Sequence, residues 1–338
     1  MDSATKAIEI SIIVPVYNGS RYLEMLVEKT RELQMRWKQA KSSLIIVEVI
    51  FVLDEPIDDS HQVLQKLRPQ YPWMRIINLS RNYGQHSATI AGILYSCGEW
   101  VVTLDEDLQH KPKDIENLLK AAASQNINVI YAEAADKVHG GLYRDLVSKL
   151  AKSFISLLSG NKHIPQFNSF RLIRGDLARA AAAICAQTTY FDVALTWFTQ
   201  RINTTAVALV DDRHRQENLS GYNLMSLIKH AKRLILSSGF TTLRFTTSIS
   251  IFAIACSIIY GIFILFSTLS TGTIEGIAGW PSLMIVILSL GGLSVFILGF
   301  ILELAHTGTL QLLGKPTFFI VDRSSDDNLS AELAKLPN

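Results

Sequence analysis

Between Phe245 and Ile274 the chain carries no charged residue, and between Gly276 and Leu302 it again carries none. A helix crosses the hydrocarbon of a bilayer with about 20 apolar residues, so each run is long enough to span. A buried core helix accounts for one such run, but not readily for two in tandem. The connection holds Glu275 and neither Lys nor Arg. Lys229, Lys232, Arg233 and Arg244 precede the first run, and Lys315 and Arg323 follow the second. Basic flanks stay on the cytoplasmic side, which predicts two spans in the cytoplasmic (inner) membrane with both termini in the cytoplasm. Residues 222–237 set Leu224, Leu227, Ile228, Leu234 and Ile235 among Lys229, His230, Lys232 and Arg233. That is the pattern of a helix lying in the membrane interface, its cations toward lipid headgroups.

Ahead of these runs, short β-branched segments alternate with amphipathic ones. Strands are expected at 10–16, 45–53, 74–79, 100–104 and 129–133, and helices at 22–41, 59–68, 85–97 and 113–125, with Pro112 starting the last. Such alternation builds a mostly parallel sheet covered by helices on both faces. Ligands of these sheets bind at the carboxyl ends of strands, where Asp54, Asp105 and the loop after Pro15 fall. Beyond lie a basic amphipathic helix at 140–159, helices at 176–186 and 191–201, a strand at 205–211 and a polar loop at 213–221. An apolar stretch at 316–321 reads as a strand packing back near the membrane. The expected division is a cytoplasmic domain at 1–220, interfacial helices at 221–242, a two-helix membrane segment at 243–305 and a cytoplasmic strand and tail at 306–338.

Charge excludes little but is informative. Lys and Arg number 32 against 30 Asp and Glu, a balance that gives no reason to expect nucleic acid as a partner. Cys97, Cys185 and Cys256 are scattered and odd in number, which fits a reducing compartment rather than a disulfide framework. The apolar run at 10–16 is too short, and Glu9 too close, for a signal peptide. No Gly-x-Gly-x-x-Gly opens a helix, which argues against a dehydrogenase.

Asp105-Glu106-Asp107 follows the apolar run Trp100-Val101-Val102-Thr103-Leu104. On an extended segment residues i and i+2 face the same way, so Asp105 and Asp107 can reach one hard cation. Oxygen ligands at the mouth of a sheet suit Mg²⁺ or Mn²⁺ shared with substrate phosphates. Asp54 at the end of its strand reads as a donor contact or a cap.

The set formed by Val14-Pro15-Val16-Tyr17-Asn18, the segment from Arg81 to Ala88, and Asp105 through Gln109 resembles the family 2 glycosyltransferases that load a sugar onto a polyprenyl phosphate. These include dolichyl-phosphate mannose synthases and bacterial undecaprenyl-phosphate glycosyltransferases. Asn82-Tyr83-Gly84-Gln85-His86-Ser87-Ala88 looks most like the branch that transfers 4-deoxy-4-formamido-arabinose. The resemblance implies a GT-A fold, Rossmann-like with a mostly parallel sheet, followed by the interfacial helix and two transmembrane helices. It implies Mg²⁺ or Mn²⁺ on Asp105 and Asp107, with Gln109 and Arg215 joining them in catalysis. It assigns the nucleotide sugar to Pro15, Tyr17, Asn18, Asp54, Arg81, Gly84, His86 and Arg171, and the acceptor phosphate to Arg215 and Ser220; Arg144, on the basic face of the helix at 140–159, reads as a further acceptor-phosphate contact or as a wet surface charge. A homo-oligomer follows by analogy only. The chain departs from the family pattern at Leu53-Asp54-Glu55-Pro56, where Val-Asp-Asp-Gly-Ser is usual. It departs again at Ser169, where an acid often precedes Phe-Arg, and at Ser220-Gly221-Tyr222, which lacks a Lys.

A lipid phosphate with a second pKa near 6 is largely dianionic at neutral pH, and needs little help from a general base. In-line displacement at the anomeric carbon then inverts its configuration. Two other readings are a degenerate, non-catalytic nucleotide-sugar binder of the same fold and a processive polysaccharide synthase. The latter generally carries more spans and a Gln/Arg-x-x-Arg-Trp element absent from this sequence.

Overall fold

The structure, a computed structural model, describes residues 6–134, 161–186, 189–207, 280–312 and 316–322, with Ile259, Ile262 and Phe266 as single helical positions. Its strands and helices are β1 (Ile8–Val16), α1 (Ser20–Gln39), β2 (Leu44–Leu53), α2 (Ser60–Leu67), β3 (Met74–Leu79), α3 (Gln85–Leu94), β4 (Trp100–Thr103), α4 (Ile115–Gln125) and β5 (Val129–Ala134). Then come β6 (Arg171–Arg174), α5 (Gly175–Ile184), α6 (Phe191–Phe198), β7 (Ile202–Val207), α7 (Trp280–Leu312) and β8 (Ile320–Val321). One eight-stranded sheet runs in the order β7-β5-β6-β4-β1-β2-β3-β8. β6 and β8 run against the other strands. The expectation of a mostly parallel sheet therefore stands, with β6 and β8 as its two reversals.

Alternation along the strands sorts the core into two layers, since successive strand side chains face opposite ways. Ile10, Ile12, Val14 and Val16 meet Leu23, Leu26 and Val27 of α1, Leu64 of α2 and Leu118 of α4. Ile13, Ile50 and Val52 meet Ala88 and Ala91 of α3, Ala178 of α5 and Phe191 of α6. β1 and β2 are buried along most of their length, as a central parallel pair must be.

Several boundaries differ from the sequence reading. The strand at 100–104 ends at Thr103, the helix at 85–97 ends at Leu94, and Pro112 opens a 3₁₀ turn, Pro112–Asp114, ahead of α4. The strand expected at 205–211 is β7, begun earlier at Ile202 and paired in parallel with β5. The stretch at 316–321 contains β8, the outermost strand of the sheet on the β3 side. Ile320 and Val321 pair antiparallel with Leu79 and Asn78 of β3, and Phe318 and Ile320 pack against the second core layer.

α7 covers 33 residues, with Glu303 its only Asp, Glu, Lys or Arg. Among the described residues no helix is long and apolar enough to cross a membrane. The first uncharged run, the basic helix at 140–159, the loop at 213–221 and the helix at 222–237 lie outside the described residues, but for the single positions in the first run.

Candidate active site

The loops after β1, β2, β3 and β4 and the start of the reversed β6 meet at one edge of the sheet. Asp54 ends β2 buried, its carboxylate accepting the backbone N–H of Tyr83 and of Gly84, each at 2.7 Å. Gly84 sits at φ +89°, a conformation that favours glycine, and this lets both amides turn to one acid. Burial pushes the Asp54 carboxyl up, against the pull of those N–H groups. Asp54 thus works as the staple between two loops, closer to a cap than to an open donor contact.

Asp105 lies just past β4. Gln85 Nε2 donates to its Oδ1 at 2.6 Å and Ser169 Oγ donates to its Oδ2 at 2.5 Å. These bonds fix the carboxylate from the α3 side and from the β6 side. Thr103 in turn holds Ser169 through its carbonyl. Burial raises the Asp105 carboxyl above the ordinary aspartate value, and the nearby Asp107 charge adds to the rise. Glu106 and Asp107 form a turn rather than an extended segment, and Leu108 takes φ +59°. The Gln109 N–H closes that turn on Asp107 Oδ1 at 3.2 Å.

Glu106, passed over by the sequence reading, reaches the other way. Its two oxygens accept the backbone N–H of Tyr17 and Asn18, both at 3.0 Å. A Cβ at Gly19 would collide with that same carboxylate. Next along, Ser20 donates its N–H to Asp58 at 2.8 Å and Gly19 its N–H to the Ser60 hydroxyl at 3.2 Å, satisfying amides at the start of α1. The loops after β1, β2 and β4 are therefore stitched together by acids.

The other expected residues divide. Tyr17 and Asn18 are exposed beside Glu106, while Pro15 is buried within β1 in register with Val52. Arg81 is exposed, its guanidinium 4.3 Å over the Tyr83 ring. His86 bonds the Thr189 carbonyl at 2.9 Å and stacks on Tyr190. Arg171, assigned to the donor by the resemblance, lies near enough to Asp105 for its charge to favour that carboxylate's ionised form. It is buried in an ion pair with Asp192, which also accepts the Tyr131 hydroxyl at 2.7 Å. Gln109 is half-buried at the turn. His110 is buried 4.9 Å from the Phe170 ring, and burial pushes its pKa down. Arg144, Arg215 and Ser220 lie outside the described residues. Gln85 and Ser169 were not singled out as Asp105 partners from sequence, because their bonds join segments distant in the chain.

Among the described residues no three His, Cys, Asp or Glu side chains cluster closely enough to hold a metal. Two carboxylates at one turn, Asp105 and Asp107, fit a hard ion that takes its remaining oxygens from phosphates and water. The raised Asp105 also fits, since a cation would favour its ionised form. A cleft at the ends of β2 and β3, lined by Leu53, Glu55, Pro56, His61, Asn78 and Ser80, opens on the flank away from β6.

Comparison with known proteins gives this geometry a family. The chain matches the model for glycosyl transferase family 2 over residues 11–193. It is 30% identical to undecaprenyl-phosphate 4-deoxy-4-formamido-L-arabinose transferase from Yersinia enterocolitica, over 72% of this chain and 72% of that protein. It is 23% identical to the SfII prophage-derived bactoprenol glucosyl transferase of Shigella flexneri, over 92% of this chain and 97% of that protein. A crystal structure of glucosyl-3-phosphoglycerate synthase from Mycobacterium tuberculosis, with Mn²⁺ and uridine-diphosphate-glucose, aligns at 13% identity over 69% of this chain and 78% of that one, with a TM-score of 0.47. With more than half of its length inside the family match, the chain belongs to glycosyl transferase family 2.

Proposed function

We propose that this glycosyltransferase moves a sugar from a nucleoside-diphosphate sugar to a polyprenyl phosphate at the cytoplasmic face of a membrane, inverting the anomeric centre. The observation that carries the reading is Asp105, gripped by Gln85 and Ser169 at the mouth of the sheet with Asp107 on the next turn. The activities for which the Yersinia and Shigella relatives are named support the lipid acceptor. Exposed apolar side chains along α7, among them Leu283, Ile287, Val295, Leu298 and Leu302, support a membrane setting, since a long apolar surface is costly in water.

The chain's own residues do the positioning. Glu106 fixes the Tyr17–Asn18 loop against the Asp105 turn, and Asp54 fixes the Tyr83–Gly84 loop beside it. The cleft beside β2 and β3 takes the nucleoside, so that its diphosphate reaches Asp105 and Asp107. A divalent cation held there by these two carboxylates would neutralise the leaving diphosphate. The acceptor phosphate enters already ionised, so the site supplies alignment rather than a strong base. Ser169, standing where an acid is often found, orients Asp105 without adding charge.

The test uses purified full-length protein in detergent with undecaprenyl phosphate, Mg²⁺ or Mn²⁺ and a broad set of nucleotide sugars, reading lipid product by mass. A glycolipid formed with one donor, and lost in Asp105→Asn, is the expected result. No product from any donor, together with tight metal-dependent nucleotide binding, would replace this reading with that of a non-catalytic binder.

A further inference from the structure

Phe318, Phe319 and Ile320 alternate across the outer edge of the sheet. Phe318 and Ile320 pack into the second core layer, so Phe319 between them faces the other way. Its backbone is held by Ser80, whose N–H donates to the Phe319 carbonyl at 2.9 Å. That bond continues the antiparallel ladder of Leu79 with Ile320 and Asn78 with Val321, and it sets Phe319 opposite Ser80. Residues directly opposite in a ladder share a face, and Asn78 and Ser80 share theirs. The Phe319 ring therefore lies on the face of Asn78 and Ser80. It is 60% exposed, and among the described residues no aromatic ring or cation stacks on it.

The same face carries the cleft. Its volume is about 240 Å³, and it is lined from the sheet by Leu53, Asn78 and Ser80 and from α2 by His61 and Gln62. Leu53 and Asn78 are partners in register across β2 and β3, and Leu53 packs in the first core layer with α1 and α2. His61 Nε2 is buried there with no hydrogen-bond partner among the described residues, a costly state for a polar atom unless a ligand meets it. Phe319 stands one strand beyond Ser80, about 4.8 Å further out, so its exposed ring borders the outer rim of the cleft. Resting on the function proposed above, which gives the cleft to the donor's nucleoside, we propose that Phe319 is a donor-binding residue: its ring stacks on the nucleobase, and the strand beyond α7 completes the nucleotide site.

A nucleobase is flat and apolar on its faces and polar around its edge. Leu53 and Pro56 offer the cleft apolar surface without a flat face; the Phe319 ring offers one. His61 and Asn78 bring polar atoms suited to the edge of a base. Stacking tolerates every base, because each has a π-face. Phe319 therefore adds affinity for nucleoside diphosphates as a class, while the edge contacts choose among them. The ring is not needed to seat β8, whose ladder with β3 is made by backbone atoms.

The experiment measures binding to the full-length protein in detergent with Mn²⁺, by calorimetry. The probes are UDP, GDP, CDP and dTDP. The nucleoside diphosphate that the wild type binds best should bind about 5- to 30-fold more weakly to Phe319→Ala and to Phe319→Leu. Phe319→Trp should bind it as tightly as the wild type or more so. Leucine keeps an apolar side chain on the strand and removes only the aromatic face; tryptophan keeps that face. The stacking role is overturned if Phe319→Leu binds like the wild type, since apolar contact then suffices. It is equally overturned if Phe319→Ala binds like the wild type, or if all three variants lose affinity together, which would mark a role in seating β8. Failure of every probe to bind the wild type would instead sink the donor reading itself, and the stacking role with it.

Discussion

Two acids inside the same sheet end differently. Glu48 lies in β2 toward the amino ends of the strands, opposite Ser11 of β1. Its carboxylate accepts the Ser11 hydroxyl at 2.6 Å and the Cys97 N–H at 2.7 Å, and pairs with Arg75. Burial pushes Glu48 up, yet these partners together outweigh it and hold the carboxyl below the ordinary glutamate value. Asp105, at the carboxyl ends, has the neutral donors Gln85 and Ser169 and, among the described residues, no ion-pair partner. Its carboxyl stays raised by burial. One end of the sheet closes its acid in an ion pair with a cation from the chain; at the other, the Arg171 charge offsets Asp105 only in part and without an ion pair. Perturbed acids without an ion-pair partner cluster at functional sites, which is why we place the chemistry at Asp105 and the scaffold at Glu48.

That contrast can be broken, beginning with its largest consequence. Asp105→Asn should lower turnover by about 10³-fold, the scale of losing a principal transition-state contact. Its melting temperature should hold or rise, because a half-buried charge without an ion pair is gone; a fall of many degrees in a thermal scan would make Asp105 structural. Glu48→Ala should do the reverse. Leaving the Ser11 hydroxyl and the Cys97 amide without their acceptor costs about 2 kcal/mol, read by denaturant titration, with turnover per folded molecule unchanged. A third comparison stays within the active edge. Glu106→Ala and Gly19→Ala should each raise the donor KM about tenfold, ~1.4 kcal/mol, by freeing the Tyr17–Asn18 loop. Since both act on one contact, the double variant should be no worse than either single one; additive effects would separate them.

The smallest expected effect is on pH dependence. A carboxyl lowered in the folded state contributes stability that is present above its unfolded value and lost as pH falls through its folded value. For Glu48 the ordinary value is 4.5, so the loss belongs to more acid solution than that. The stability difference between wild type and Glu48→Gln should shrink as pH drops through this range. A difference independent of pH would mean that Glu48 acts only as a hydrogen-bond acceptor.

The alternation of β-branched and amphipathic segments was enough to read β1 through β5 and their helices, because each element makes its own periodic pattern. The reversed direction of β6 was not legible, since direction depends on which neighbours a strand finds. The triplet was found by its place after a buried strand. Its middle member was missed because the i, i+2 rule looks along one face, whereas Glu106 is turned by Leu108 and its neighbours to the opposite loop. The resemblance alone assigned Arg171 to the donor, and only the approach of Asp192 on α6 shows the ion pair its charge enters. Ser169 and Gln85 became visible once the fold brought residues 64 and 20 positions away onto Asp105.

β8 has a consequence for how this enzyme is divided. Without it, the carboxyl end of β3 at Asn78 and Leu79 would lose its outer partner and lengthen the bare edge on which sheets recruit other chains. The residues that cover this end come from beyond α7, and Ser80, at the head of the Arg81–Gly84 loop, gives its N–H to the Phe319 carbonyl at 2.9 Å. Cutting the chain ahead of its apolar part to obtain a soluble catalytic piece would therefore remove a strand of the catalytic sheet itself. Such a piece is expected to self-associate through β3, and supplying residues 316–322 as a separate peptide is the way to restore its monomeric state.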